Sequence, residues 1–235
     1  LVTLALAALA VAVGAAAQSV SGIGFALVGG PLLFTAFGAR EGVRVAVVLS
    51  MLVNIGVLAR EHRAVMWRRV APVLLTAVAV TPVLAHLLSG VHSRPLRAAA
   101  GGVIVIGALL VAAGRTRDTG LVGAVVAGVG SATMNVLASA GGPAVAVYAT
   151  GARWDPQRLR ATLQAYFLAL NVVTLLTLGS PHWSWGQATV LVLSLVAGAA
   201  VGAVLVRRVS ASRARTVTLA LAAAGGLAVL IEAVG

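Results

Sequence analysis

Apolar runs dominate the chain, and short charged clusters cut them apart. Residues 1–37 carry no ionisable side chain, and further apolar runs cover 45–59, 70–91, 98–114, 119–152, 161–178, 187–206 and 216–231. The intervening clusters are rich in arginine, as in "REHRAVMWRR" (60–69), "RWDPQRLR" (153–160) and "RRVSASRAR" (207–215). Most runs suit a single membrane-crossing helix, and none alternates at every second residue as a barrel strand does. Two runs are too long. As one helix, residues 1–37 would measure about 55 Å, against a hydrocarbon core about 30 Å thick. Each long run is interrupted by Gly, Ser and Pro, in "QSVSGIGFALVGGP" (18–31) and "GSATMNVLASAGGP" (130–143). Each is expected to form two helical legs joined by non-helical backbone, around 21–24 and 139–142.

Composition supports a membrane protein. The 235 residues are 60% hydrophobic and only 9% charged, with a mean hydropathy of +1.06. A soluble domain carries roughly a quarter charged residues. The charge is lopsided, with 17 basic and 5 acidic residues. Every basic residue is arginine. These arginines sit between apolar runs, as topology determinants do, which argues against a nucleic-acid surface. There is no cysteine, so thiolate metal sites and disulfides are excluded. Residues 1–17 are apolar like the core of a signal peptide, but no basic stretch precedes them, and they read as a retained membrane helix.

The two long runs head two similar halves, 1–118 and 119–235, which together make one transport domain. Gly29-Gly30-Pro31 recurs as Gly141-Gly142-Pro143, and Gly38-Ala39-Arg40 as Gly151-Ala152-Arg153. Arg44 precedes Asn54 much as Arg160 precedes Asn171. Three apolar runs complete each half, an ordered series of matches that points to an internal repeat. With 60–69 placed in the cytoplasm, only Arg40, Arg44, Arg94 and Arg97 of the 17 arginines fall outside. The C-terminus and the His182–Trp185 loop are then extracytoplasmic, with Trp183 and Trp185 in an interfacial belt. Residues 119–152 begin and end inside, whereas 1–37 begin and end outside. The expected fold is therefore an all-α polytopic membrane protein of two inverted-topology repeats. Each is a broken, re-entrant helical segment followed by three transmembrane helices. Many secondary transporters share this plan, with broken helices meeting around a substrate.

"SGIGFALVGGPLL" (21–33), "ASAGGPAVAVYATG" (138–151) and "PQRLRAT" (156–162) resemble the two glycine-rich motifs of the TauE/SafE sulfite exporter family, also called the 4-toluene sulfonate uptake permeases. The resemblance covers nearly the whole chain. It implies seven or eight membrane segments in two homologous halves, and transport of sulfite, sulfonates or related sulfur-containing anions. This chain has Phe25-Ala26-Leu27-Val28 where the commonest pattern has a longer glycine run.

The breaks are the candidate site. Amides and dipole at the start of a helix favour an anion. Pro is tolerated in a helix's first turn. Gly141, Gly142 and Pro143 would open such a leg, and Gly29, Gly30 and Pro31 would do the same from the other half. The alternative is that these glycines serve close helix packing, with proline as a kink. Gln18, Ser21, Asn135 and Ser139 flank the breaks and can donate to an oxyanion without fixed charge. Intramembrane hydroxyls also bond back to their own helix. Arg160, one turn into its helix, would reach back toward Gly142 with a planar fork of donors. Arg44 reads more readily as an interfacial anchor. Asn171, with Gln164 and Tyr166, either lines a pathway or locks helices together. His86 is a proton relay or a bonded structural histidine, the second being favoured.

The apolar runs contain no acidic residue, so paired-carboxylate chemistry is missing and no cofactor is expected. The function expected is secondary transport of a small anion, sulfite or an organosulfonate, at the cell's inner (plasma) membrane. The alternatives are an accessory subunit, a membrane-embedded enzyme or a passive anion channel. The expected partners are the anion, the lipid bilayer and a coupling ion, H+ or Na+. Nucleic acid is excluded and a homo-oligomer is left open.

Overall fold

The structure, a computed structural model, describes residues 2–21, 25–114, 119–205, 208 and 211–234. Among the described residues there are ten α-helices, one 3-10 turn and no strand. The first five helices are α1 (Val2–Ser21), α2 (Phe25–Phe37), α3 (Ala39–Glu61), α4 (Trp67–Ser89) and α5 (Ser93–Ala113). The second five are α6 (Gly120–Ala138), α7 (Gly142–Gly151), α8 (Pro156–Leu178), α9 (Trp185–Leu205) and α10 (Ala211–Val234). Eight are long and apolar enough to cross a membrane; α2 and α7 are not. A long helix, a short one and three long ones thus follow each other twice.

Local chemistry explains the boundaries. Asp155 caps α8 by accepting the Gln157 N–H at 2.9 Å, with Pro156 in the first turn. Glycines in left-handed or positive-φ backbone end α5 at Gly114 and α8 at Gly179. The long run at 119–152 splits as expected, with residues 139–141 outside any helix. Residues 22–24 of the other expected break lie outside the described residues. One expectation is corrected. Gly29, Gly30 and Pro31 do not open a leg, because α2 already starts at Phe25 and contains Pro31 in its interior. Within α2, Pro31 is accommodated by packing. Its ring fits against Gly225 of α10, where an added Cβ would sit 2.7 Å from the Pro31 Cγ. Pro143 fits against Gly107 of α5 in the same manner, at 2.9 Å.

The helix pairs are symmetric between the halves. α1 packs on α9 as α6 packs on α4; α2 packs on α10 as α7 packs on α5. The pairs α3·α8 and α5·α10 map onto themselves. Both of these pairs are antiparallel. Arg44, near the start of α3, lies beside Gly179 just past the end of α8, and Glu61, ending α3, meets Arg160 near the start of α8. Arg94, near the start of α5, donates to the Ala233 carbonyl at the end of α10 at 3.0 Å.

Small residues permit the closest crossings, as they do between helices that lipid cannot drive together. A Cβ on Gly198 of α9 would lie 2.1 Å from the Ala12 carbonyl oxygen, and one on Gly202 2.6 Å from the Ser19 Cβ. The buried apolar residues form two main clusters that do not follow the halves. One joins α1, α2, α3 and α5 to α9 and α10; the other joins α4 to α6, α7 and α8.

Candidate functional site

The end of α1 and the first turn of α2 face the break between α6 and α7 across one cavity of about 50 Å³. Its wall takes Gln18 from α1 and Phe25, Ala26 and Leu27 from the first turn of α2. Ser50, Val53 and Asn54 come from α3, Phe167 and Asn171 from α8, and Asn135 from α6. Residues 139–143, the second break and the start of α7, complete it. None of these side chains is ionisable.

Gln18 Oε1 accepts the Phe25 N–H at 3.1 Å and so caps the start of α2 from the last turn of α1. Ser131 holds the second break from below, donating to the Gly141 carbonyl at 2.7 Å. Asn135 spends both amide hydrogens on α8, donating to Asn171 Oδ1 at 3.1 Å and Thr174 Oγ1 at 2.9 Å. Ser139 ends α6 in left-handed backbone, φ 53°, a region that a non-glycine residue rarely adopts. Its buried Oγ has no partner among the described residues, and neither has the buried Asn54 Nδ2. A buried donor left unpaired is costly, and two such groups lie on this one small cavity.

The cavity lies near mid-depth. Asn171 is nine residues past Thr162, which accepts the Met66 N–H at one end of the bundle, and eight residues before Gly179 at the other. At 1.5 Å per residue it sits about 12–14 Å from either level.

The structure thus brings Gln18, Asn135, Ser139, Gly141, Gly142, Pro143 and Asn171 together. It places Gly29, Gly30 and Pro31 farther along α2, where an added Cβ on Gly29 would meet the Ala10 carbonyl oxygen at 3.0 Å. Ser21 ends α1, and its side chain lies outside the described residues. Arg160 does not face Gly142: its half-exposed side chain lies 3.9 Å from Glu61 and lines neither cavity of the bundle. The carboxylate on the neighbouring helix end draws it outward. Gln164 and Tyr166 are buried in the helix packing, and His86 faces outward on α4, away from the cavity. Ser50 and Phe167 are wall residues that sequence reasoning missed. The available signal was their spacing, since each lies one turn before an asparagine, Ser50 before Asn54 and Phe167 before Asn171.

The model of the family described as sulfite exporter TauE/SafE matches residues 6–229. The chain belongs to this family. Neither curated proteins nor solved structures gave a match. The resemblance read from the two glycine-rich motifs therefore extends over nearly the whole chain. TauE/SafE proteins are transporters and not enzymes, and membership makes this chain a multi-pass membrane transporter. The family implies export of sulfite or a related sulfur anion.

Proposed function

We propose that this transporter binds a compact sulfur oxyanion, with sulfite as the first candidate, in the cavity between the two helix breaks. The observation that carries the reading is the pairing of unpartnered donors, Ser139 Oγ and Asn54 Nδ2, with the first turns of α2 and α7 on one uncharged wall. Helix starts attract anions, and neutral donors hold one without trapping it behind a fixed charge. Asn135 and Asn171 act as positioning residues, since their mutual hydrogen bond ties the broken α6 to α8. Size favours a small substrate. A water needs at least about 10–15 Å³ of such space, so about 50 Å³ takes a few heavy atoms and excludes an aromatic sulfonate in this conformation.

The symmetric helix pairs and the antiparallel α3·α8 and α5·α10 contacts support two inverted repeats, because a two-fold that exchanges antiparallel partners lies across the helices. Such a pair of halves rocks about a central site. The coupling ion, H+ or Na+, is to be identified by the same transport assay. Purified protein should be stabilised against heat by sulfite more than by taurine or 4-toluenesulfonate, and proteoliposomes should accumulate sulfite against its gradient when an ion gradient is imposed. Stabilisation by none of these anions would overturn the reading.

A further inference from the structure

We propose that a second, larger cavity is an anion subsite where the same anion is held as it passes between the inner cavity and the membrane face, with Arg44 as its cation. The proposal rests on the anion-transport reading above. The cavity measures about 200 Å³ and lies at the end of the bundle where α3 and α5 begin and α4 and α8 end. Arg40, Arg44, Ser89 and Thr177 form its polar wall, and no carboxylate lines it.

The two arginines do different work. One amino group of Arg40 donates to the carbonyls of Leu88, Ser89 and Val91, at 3.2, 2.6 and 2.6 Å. It thereby satisfies the carbonyls left over at the end of α4, which fixes it as wall. Arg44 engages only Nη1, at 3.1 Å from Glu41 Oε2 and 3.4 Å from His182 Nδ1. A guanidinium has five N–H donors, so most of Arg44's donors are uncommitted among the described residues. Glu41 stands off the cavity wall and is held by the α8–α9 connection, where it accepts the His182 N–H.

The position fits such a passage. Val136 and Leu137 line the larger cavity, while Asn135 and Ser139, their neighbours on α6, line the inner one. The last turn of α6 is therefore the partition between the two. On α8, Thr177 faces the larger cavity and Thr174, one turn deeper, receives Asn135. The inner site has no charge with which to draw an anion from water, and a positively lined recess at its approach raises the local anion concentration. An anion arriving there competes with Glu41 for Arg44.

The test is sulfite transport by full-length protein in proteoliposomes, with sulfite-dependent thermal stabilisation measured in parallel. Arg44→Gln should raise KM about ten- to a hundredfold at low ionic strength, the loss of one charge-assisted hydrogen bond, and should flatten the dependence of KM on salt. Arg44→Lys should recover part of this, and Glu41→Gln should lower KM by freeing the guanidinium. Arg63→Gln, on the exposed turn at the opposite end, should match the parent. Parental KM and salt dependence in both Arg44 variants would overturn the subsite while leaving the inner site standing. Should Arg44→Gln fail to fold, a raised KM in Glu41→Gln overturns it instead. A parent protein that neither binds nor moves sulfite would overturn both readings together.

Discussion

Ser139 is the residue on which most converges: a buried hydroxyl without a partner, in left-handed backbone, between the broken helices. Replacing it separates two effects. Ser139→Ala and Ser139→Gly both lose the donor, so both should weaken sulfite binding by about ten- to a hundredfold, measured by titration of the purified protein. Only the alanine keeps a Cβ in the left-handed region, at about 1–2 kcal/mol, so the glycine variant should melt at the higher temperature. Equal melting with unchanged affinity would remove Ser139 from the site. Arg160→Ala, by contrast, should cost less than about 1 kcal/mol in stability or binding, as an exposed pair with Glu61 does. Ser139 and Gly141 were legible in the sequence because a break within an apolar run must be made of such residues. Ser50 and Phe167 were legible only through their spacing, one turn before Asn54 and Asn171, because a residue on an unbroken helix gives no local sign of which neighbour it faces. Arg160 misled because its partner, Glu61, lies on another helix, at a distance that spacing along the chain cannot express.

At the scale of elements, glycine decides how near the helices come. Gly198→Ala would press a Cβ into the Ala12 backbone at 2.1 Å, and helices cannot part at one point without losing neighbouring contacts. A loss of about 1–3 kcal/mol is expected from such overpacking, read as a lowered melting temperature in detergent. Gly56→Ala on α3 is the matched control, because no atom lies within 4 Å of its added Cβ. It should be neutral or stabilising by up to about 1 kcal/mol. The same geometry explains why the first Gly-Gly-Pro was misplaced on sequence grounds. The tripeptide has two uses, opening α7 and packing α2 into Gly225, and only the partner helix distinguishes them.

At the scale of the whole molecule, the arginine bias predicts an orientation that is open to a direct check. In intact cells an impermeant thiol reagent should label Ser184→Cys, before α9, and should label His62→Cys, after α3, only once the membrane is opened. The reverse pattern would turn the molecule over and place the Arg44 recess on the cytoplasmic side. The number and kind of long helices were legible from the apolar runs alone, since the membrane fixes their length. The pairing of helices was not, because an apolar face suits lipid and protein equally well.

That pairing governs how the chain is made. α1 seats against α9, and about 185 residues separate facing positions such as Ala12 and Gly198, which at 5–20 residues per second takes the ribosome about 9–37 s. During that interval the Ala12–Ala16–Ser19 face of α1 has only lipid, or an insertion factor, for company. α1 can pack on its neighbour α2 at once, but it meets α9 only after most of the chain has been made. A nascent chain arrested after α8 should cross-link from Ala12 to lipid or to the insertion machinery, and extension through α9 should abolish that cross-link. The bundle therefore closes like a clasp, and a truncation before α9 leaves α1 without the helix its small-residue face is shaped to meet.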